Sequence, residues 1–172
     1  MNEYEESLVF LDQAISLIGS KPHTLRPQIV RIRFDVLKLQ GEILKAQQTL
    51  ETQTEIMPEH PDAWFLLAMH KMQNFNAMFH EVVDLVLKSK NTAISYRGSA
   101  GFESSLATWE SDLQLANLQL MTGNVIEARR LFASVVAENP YLVDAKQRLE
   151  HLDNQICELA KEIMPELQTL SN

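Results

Sequence analysis

One cysteine stands in the 172 residues, Cys157, so no internal disulfide can brace the fold. It falls on an apolar helical stripe, and the expected role is that of a small buried hydrophobe. Glycine and proline are scarce, five and six in the whole chain, whereas Leu, Ala, Glu, Gln and Met abound. Few breakers and many helix formers exclude a loop-rich or Gly-periodic fold and favour helices over sheets. Basic charge is also short: 15 Lys and Arg face 23 Asp and Glu, a net charge of −8. That balance repels a phosphate backbone and argues against nucleic acid as a ligand. The densest basic stretch, Arg26, Arg31, Arg33 and Lys38, is broken by Asp35 and reads as an ordinary solvated helix face. No window approaches the roughly 18 apolar residues that a membrane span needs. The start, Met1 to Glu6, is acidic where a secretory signal is basic. The expectation is a cytoplasmic chain with no membrane partner.

What the chain does have is self-similarity. Leu39-Gln40-Gly41 is followed by Ala46, Leu50 and Pro58; Met121-Thr122-Gly123 is followed by Ala128, Phe132 and Pro140. From glycine to alanine is five residues in both segments, and from glycine to proline seventeen. Glycine permits a left-handed turn between two antiparallel helices. A small Ala one turn into the next helix lets the backbones approach, the large apolar residue four positions on fills the space between hairpins, and Pro ends the helix.

On these residues the chain resembles the tetratricopeptide repeat family, whose unit is 34 residues with small residues at the helix crossing and a closing Pro. Pro61-Asp62-Ala63-Trp64, running on to Leu67 and Ala68, is similar to the start of such a unit. Phe34 to Ala68 is one such period, whereas Ala68 to Ala116 is 48 residues, which implies an insertion of about 14. The insertion is expected over 88–101, where Ser, Asn, Tyr, Gly98 and Gly101 interrupt the helical pattern and suggest a flexible connector. The middle unit has Asn74-Phe75-Asn76 in place of the turn glycine, Asn being tolerant of left-handed backbone.

The resulting expectation is an all-α chain, a TPR-like α-solenoid of antiparallel hairpins in a single domain, 1–172. Repeats lie near 25–58, 62–89 and 102–140, followed by a capping helix at 142–166. Helices are expected at 3–18, 25–40, 43–56, 62–73, 77–89, 102–121, 125–137 and 142–166. The first of these, with Tyr4, Ser7, Leu11 and Ala14, looks like the second helix of a unit whose first is missing. In the last, Leu149, Leu152, Ile156, Leu159 and Ile163 form an apolar stripe that caps the final hairpin, with Pro165 helping to end the helix. Homodimerisation through that stripe is the alternative.

A second resemblance concerns context. A degenerate repeat, then Tyr96 to Gly101, a long helix and Gly123 to Ala128, is similar to the helical tail that follows the catalytic domain in some bacterial family-2 glycosyltransferases. It implies an accessory module whose catalytic domain lies outside this chain.

Candidate chemistry is sparse. His80-Glu81-Val82-Val83-Asp84 comes nearest to a zinc-protease helix, but Asp stands where the second imidazole is needed. His23, His60, His70 and His151 share no ligand spacing and read as exposed or capping histidines. Arg97-Gly98-Ser99-Ala100-Gly101 has neither the order of a nucleophile elbow nor the Lys of a phosphate loop. No catalytic residue, metal or cofactor is expected. The resemblance implies instead a concave face lined by the first helices of the hairpins. Its groove positions fall on Arg31, Asp35 and Lys38, then Phe65, Met69 and Met72, then Leu113, Asn117 and Leu120. Phe65, Met69 and Leu113 stand where a carboxylate-gripping member needs Lys, Arg and Asn. The trough therefore suits an amphipathic helix or extended apolar peptide, and the expected role is non-catalytic binding or scaffolding of a protein partner.

Overall fold

In the computed structural model, which describes residues 3–74 and 78–170 and side chains through Lys161, the two matched segments fold alike. Gly41 and Gly123 take φ of 75° and 77°, the left-handed region that glycine enters without strain. The amide of Gly41 donates to Lys38 O at 3.0 Å and that of Glu42 to Leu37 O at 2.9 Å. Gly123 donates to Leu120 O at 3.0 Å and Asn124 to Gln119 O at 2.9 Å. These paired bonds form a Schellman cap, which satisfies the last carbonyls of one helix while reversing the chain into the next. Ala46 and Ala128 are fully buried one turn later, and so are Leu50 and Phe132. Met57 and Asn139, each before a proline, leave the helix with φ of −132° and −134°. The ring of the following proline disfavours helical backbone at those positions.

Eight helices and no strand lie among the described residues: α1 (Glu3–Ile18), α2 (Arg26–Leu39), α3 (Ile43–Ile56), α4 (Pro61–Gln73), α5 (Phe79–Ser95), α6 (Trp109–Met121), α7 (Val125–Glu138) and α8 (Val143–Leu170). The architecture is all-α, built of antiparallel hairpins. Where the repeat spacing suggests one domain, the packing divides the chain between Ala107 and Thr108 into two compact units. In the first, α1 through α5 pack in order, each helix on the next. Val30, Phe34, Leu37, Ala46, Leu50 and Leu67 form its apolar centre, with Leu8, Leu66 and Leu85 against them. Burying a side chain such as Leu50 stabilises the fold by about 1.5–3 kcal/mol. In the second, α6 pairs with α7 and α7 with α8, around Leu115, Leu131, Phe132, Val135 and Leu152.

Several expectations give way. The insertion expected over 88–101 is helical as far as Ser95, because Val82, Val86, Ser89 and Ala93 continue one buried stripe in which two members are small. Ser89 Oγ donates to Pro61 O at 3.0 Å, and Thr92 and Ser95 return their hydroxyls to carbonyls of their own helix. The helix expected at 102–121 is instead a short 3₁₀ turn, Ser104–Ala107, then α6. They are separated at Thr108, whose φ of −118° and ψ of −103° are not helical. The last helix continues past Pro165 to Leu170; proline removes one N–H and bends a helix more readily than it stops one. Cys157 is exposed, on the side of α8 away from Leu152. The side chain of Ile163 and residues Phe75 and Asn76 lie outside the described residues.

Candidate partner-binding face

On α2, Arg31, Asp35 and Lys38 recur at four and three residues and so lie along one face. Arg31 and Asp35 are exposed and Lys38 half-buried. On α4, Asp62, Phe65, Met69 and Gln73 recur at three, four and four residues and so also share a face, and Phe65, Met69 and Met72 are all half-buried. Two links set these faces side by side. Lys38 Nζ donates to Gln73 Oε1 at 3.2 Å, and Arg31 lies close enough to Asp62 to favour its ionised form. The pairs run in the same direction along both helices, so α2 and α4 are aligned as corresponding helices of consecutive hairpins.

Burial nevertheless pushes the Asp62 carboxyl above its ordinary range; the amide of Glu103, donating to Oδ1 at 3.0 Å, and the neighbouring His60 and Arg31 act against that rise. The Glu103 bond brings the connector after α5 back onto the start of α4. Tyr96 stands edge-on to His60 and Phe102, at 5.4 and 5.1 Å between ring centres. Its hydroxyl bonds the backbone of Ala100, and burial raises its pKa. A side chain at Gly98 would overlap the Tyr96 ring. The stretch expected to be a flexible connector is therefore fastened to the first unit. A pocket of about 280 Å³ lies between it and the beginning of α2, lined by Pro27, Arg31, Asp62, Phe102 and Glu103 among others.

In the second unit, Leu113, Asn117 and Leu120 lie along α6 and are half-buried. Asn117 Oδ1 accepts from Arg148 Nη1 of α8 at 3.2 Å, so this position already has a partner within the chain.

Other candidates sort differently. Arg26 is not part of a solvated face: it is buried, with Nε donating to Gln53 Oε1 at 3.0 Å and Nη1 to Gly19 O at 2.6 Å. Burial pulls its guanidinium below the ordinary value. Arg33 is held by Asp12 and Thr49. His23, His80 and His151 are exposed, but His60 and His70 are fully enclosed. His70 Nε2 faces Ile43 O at 3.2 Å, and its ring stands edge-on to Phe34 at 5.3 Å. Glu81 is taken by Lys71. Among the described residues no three His, Cys, Asp or Glu side chains are gathered as metal ligands, and no helix is long and apolar enough to cross a membrane. Spacing alone could not reveal His60 and His70, which occupy core positions that elsewhere hold apolar residues.

No family model and no curated protein matches the chain. Among solved structures, it is similar to one described as an assembly chaperone of RpL4 (Acl4), residues 1–338, at 15% identity and a TM-score of 0.46. That match covers 94% of this chain and 60% of the other, so this chain spans about three-fifths of its length.

Proposed function

We propose that this chain is a tetratricopeptide-type, non-catalytic protein-binding module of the cytoplasm, and that it takes an amphipathic helix or extended apolar peptide along the α2–α4 face. The observation that carries the reading is the half-burial of Phe65, Met69 and Met72 on one face of α4, beside the charged row of Arg31, Asp35 and Lys38. Methionine adapts to the shape of whatever it meets, and flanking charges of both signs orient a segment without demanding a terminal carboxylate. Leu113, Asn117 and Leu120 supply the equivalent row in the second unit, with Asn117 engaged by Arg148 in the free chain.

The test is charge placed in the trough. Phe65→Glu with Met69→Glu should keep the helical circular dichroism of the parent and lose the proteins that co-purify with it from native cells, as measured by quantitative mass spectrometry. A folded double variant that retains the same proteins in the same amounts overturns the assignment of the face.

A further inference from the structure

The first unit contains two runs of buried polar groups, one from Gly19 to Gln53 and one from His60 to Gly101. Gly19 O, just after α1, accepts from Arg26 at the start of α2, and Arg26 in turn donates to Gln53 Oε1 on α3. In the other run, His60, the residue before α4, has Nε2 at 3.0 Å from Gly101 O in the connector. Each run ends on an open atom, Gln53 Nε2 and His60 Nδ1, in residues 1% and 0% exposed, and neither has a hydrogen-bond partner among the described residues. Leaving either group unsatisfied costs about 1–3 kcal/mol.

The chemistry required between them is fixed from both ends. A guanidinium only donates, so the Gln53 atom facing Arg26 is the oxygen, and the amide nitrogen points the other way as a donor. A carbonyl only accepts, so Nε2 of His60 carries a proton, and in the tautomer whose single ring proton is there Nδ1 presents a lone pair. Gln53 and His60 both line a small, partly open cavity of about 20 Å³, together with Arg31, Leu50, Asp62 and Leu66 among others. By this measure one water molecule needs about 10–15 Å³. Arg31 and Asp62 line the same cavity with charges of both signs, so neither a lone cation nor a lone anion is favoured there. A group that accepts one bond and donates another satisfies both open atoms.

We infer that this cavity is a binding site for one internal water, which accepts from Gln53 Nε2 and donates to His60 Nδ1. The water completes a hydrogen-bonded chain from Gly19 through Arg26, Gln53 and His60 to Gly101. It thereby couples α3 to the connector, which Gln53 does not itself hydrogen-bond. The cavity shares Pro27, Arg31 and Asp62 with the wider pocket beside it.

A crystal structure of the full chain at a resolution that shows ordered solvent decides the matter. One isolated peak within hydrogen-bonding distance of both atoms is expected. A dry cavity, or a direct Gln53–His60 bond, overturns the inference. Gln53→Met supplies a second readout, because it keeps the side-chain length and removes both the donor and the oxygen that Arg26 bonds, so Arg26→Met serves as the control that keeps the donor. In Gln53→Met but not in Arg26→Met, amide exchange at residues 96–103 should quicken severalfold relative to exchange in the second unit. If Gln53→Met folds and leaves exchange in that stretch unchanged, the coupling is disproved; if it does not fold, the crystal structure of the parent chain still decides.

Discussion

The hairpins α2–α3 and α6–α7 share a turn, a helix crossing and an exit, yet the units around them are filled differently. Beside α2–α3 the first unit encloses Arg26, Gln53, Thr54, His60 and His70, whereas α6–α7 is centred on Leu131, Phe132 and Val135, with Ser111 and Asp112 as the polar groups buried nearby. The backbone of a hairpin is therefore specified by a handful of positions: glycine at the turn, alanine at the crossing, one large apolar residue and the closing proline. What the remaining core positions carry is free to differ. The first unit uses that freedom for buried directional bonds that join successive helices and tie down the connector; in the second, Arg129–Asp153 and Arg148–Asn117 join α7 and α6 to α8 nearer the surface, around a centre of apolar side chains. Hydrogen bonds are specific in geometry while apolar packing tolerates exchange.

The comparison can be broken most forcefully at the shared large position. Phe132→Ala should cost about 3–5 kcal/mol and Leu50→Ala about 2–5 kcal/mol, since each leaves a cavity in a fully enclosed site. Denaturant unfolding followed by circular dichroism gives both values. Hydrogen exchange on the same variants should locate each loss in its own unit. A cost below about 1 kcal/mol in either would mean that the two positions are not equivalent keystones.

A smaller effect sharpens the difference between the units. Burial, with a lesser contribution from Lys38, holds the His70 imidazole below its ordinary value near 6.5; the bond to Ile43 and the charge of Glu51 oppose this. A depressed histidine pKa means that the unfolded chain takes up the proton first. As pH falls from about 6.5 toward the folded value the first unit loses stability, and above 6.5 that contribution is fully present. Unfolding midpoints measured across this range should drop on acidification in the parent chain and drop less in His70→Gln. Identical profiles for the two would remove His70 from the account.

Much of this architecture was legible in the sequence, and the illegible parts share a cause. Gly41, Gly123, their alanines and prolines act through backbone sterics that depend on residue type alone, so spacing revealed both hairpins. The extension of α5 to Ser95 was hidden because Ser89 and Ala93 keep the helical stripe without the large apolar residues that mark it. His60, His70 and Arg26 read as surface residues because their type favours water; each is buried against a carbonyl or amide supplied by a distant segment, a partner that sequence does not display. For Cys157 the error runs the other way: an apolar stripe on a helix is broad, and Cys157 falls outside the part that α7 covers. The face of α2 and α4 was readable as two rows of residues, but their alignment through Lys38–Gln73 and Arg31–Asp62 belongs to the tertiary structure.

The claim that binding occurs on this face is tested most directly by a photo-reactive amino acid placed at Met69, with a control at the exposed position Glu55 on α3. Irradiation in native cells followed by mass spectrometry should give cross-links to a partner polypeptide from position 69 and not from position 55. Cross-links of equal yield and identity from both positions, or from position 55 alone, would contradict it.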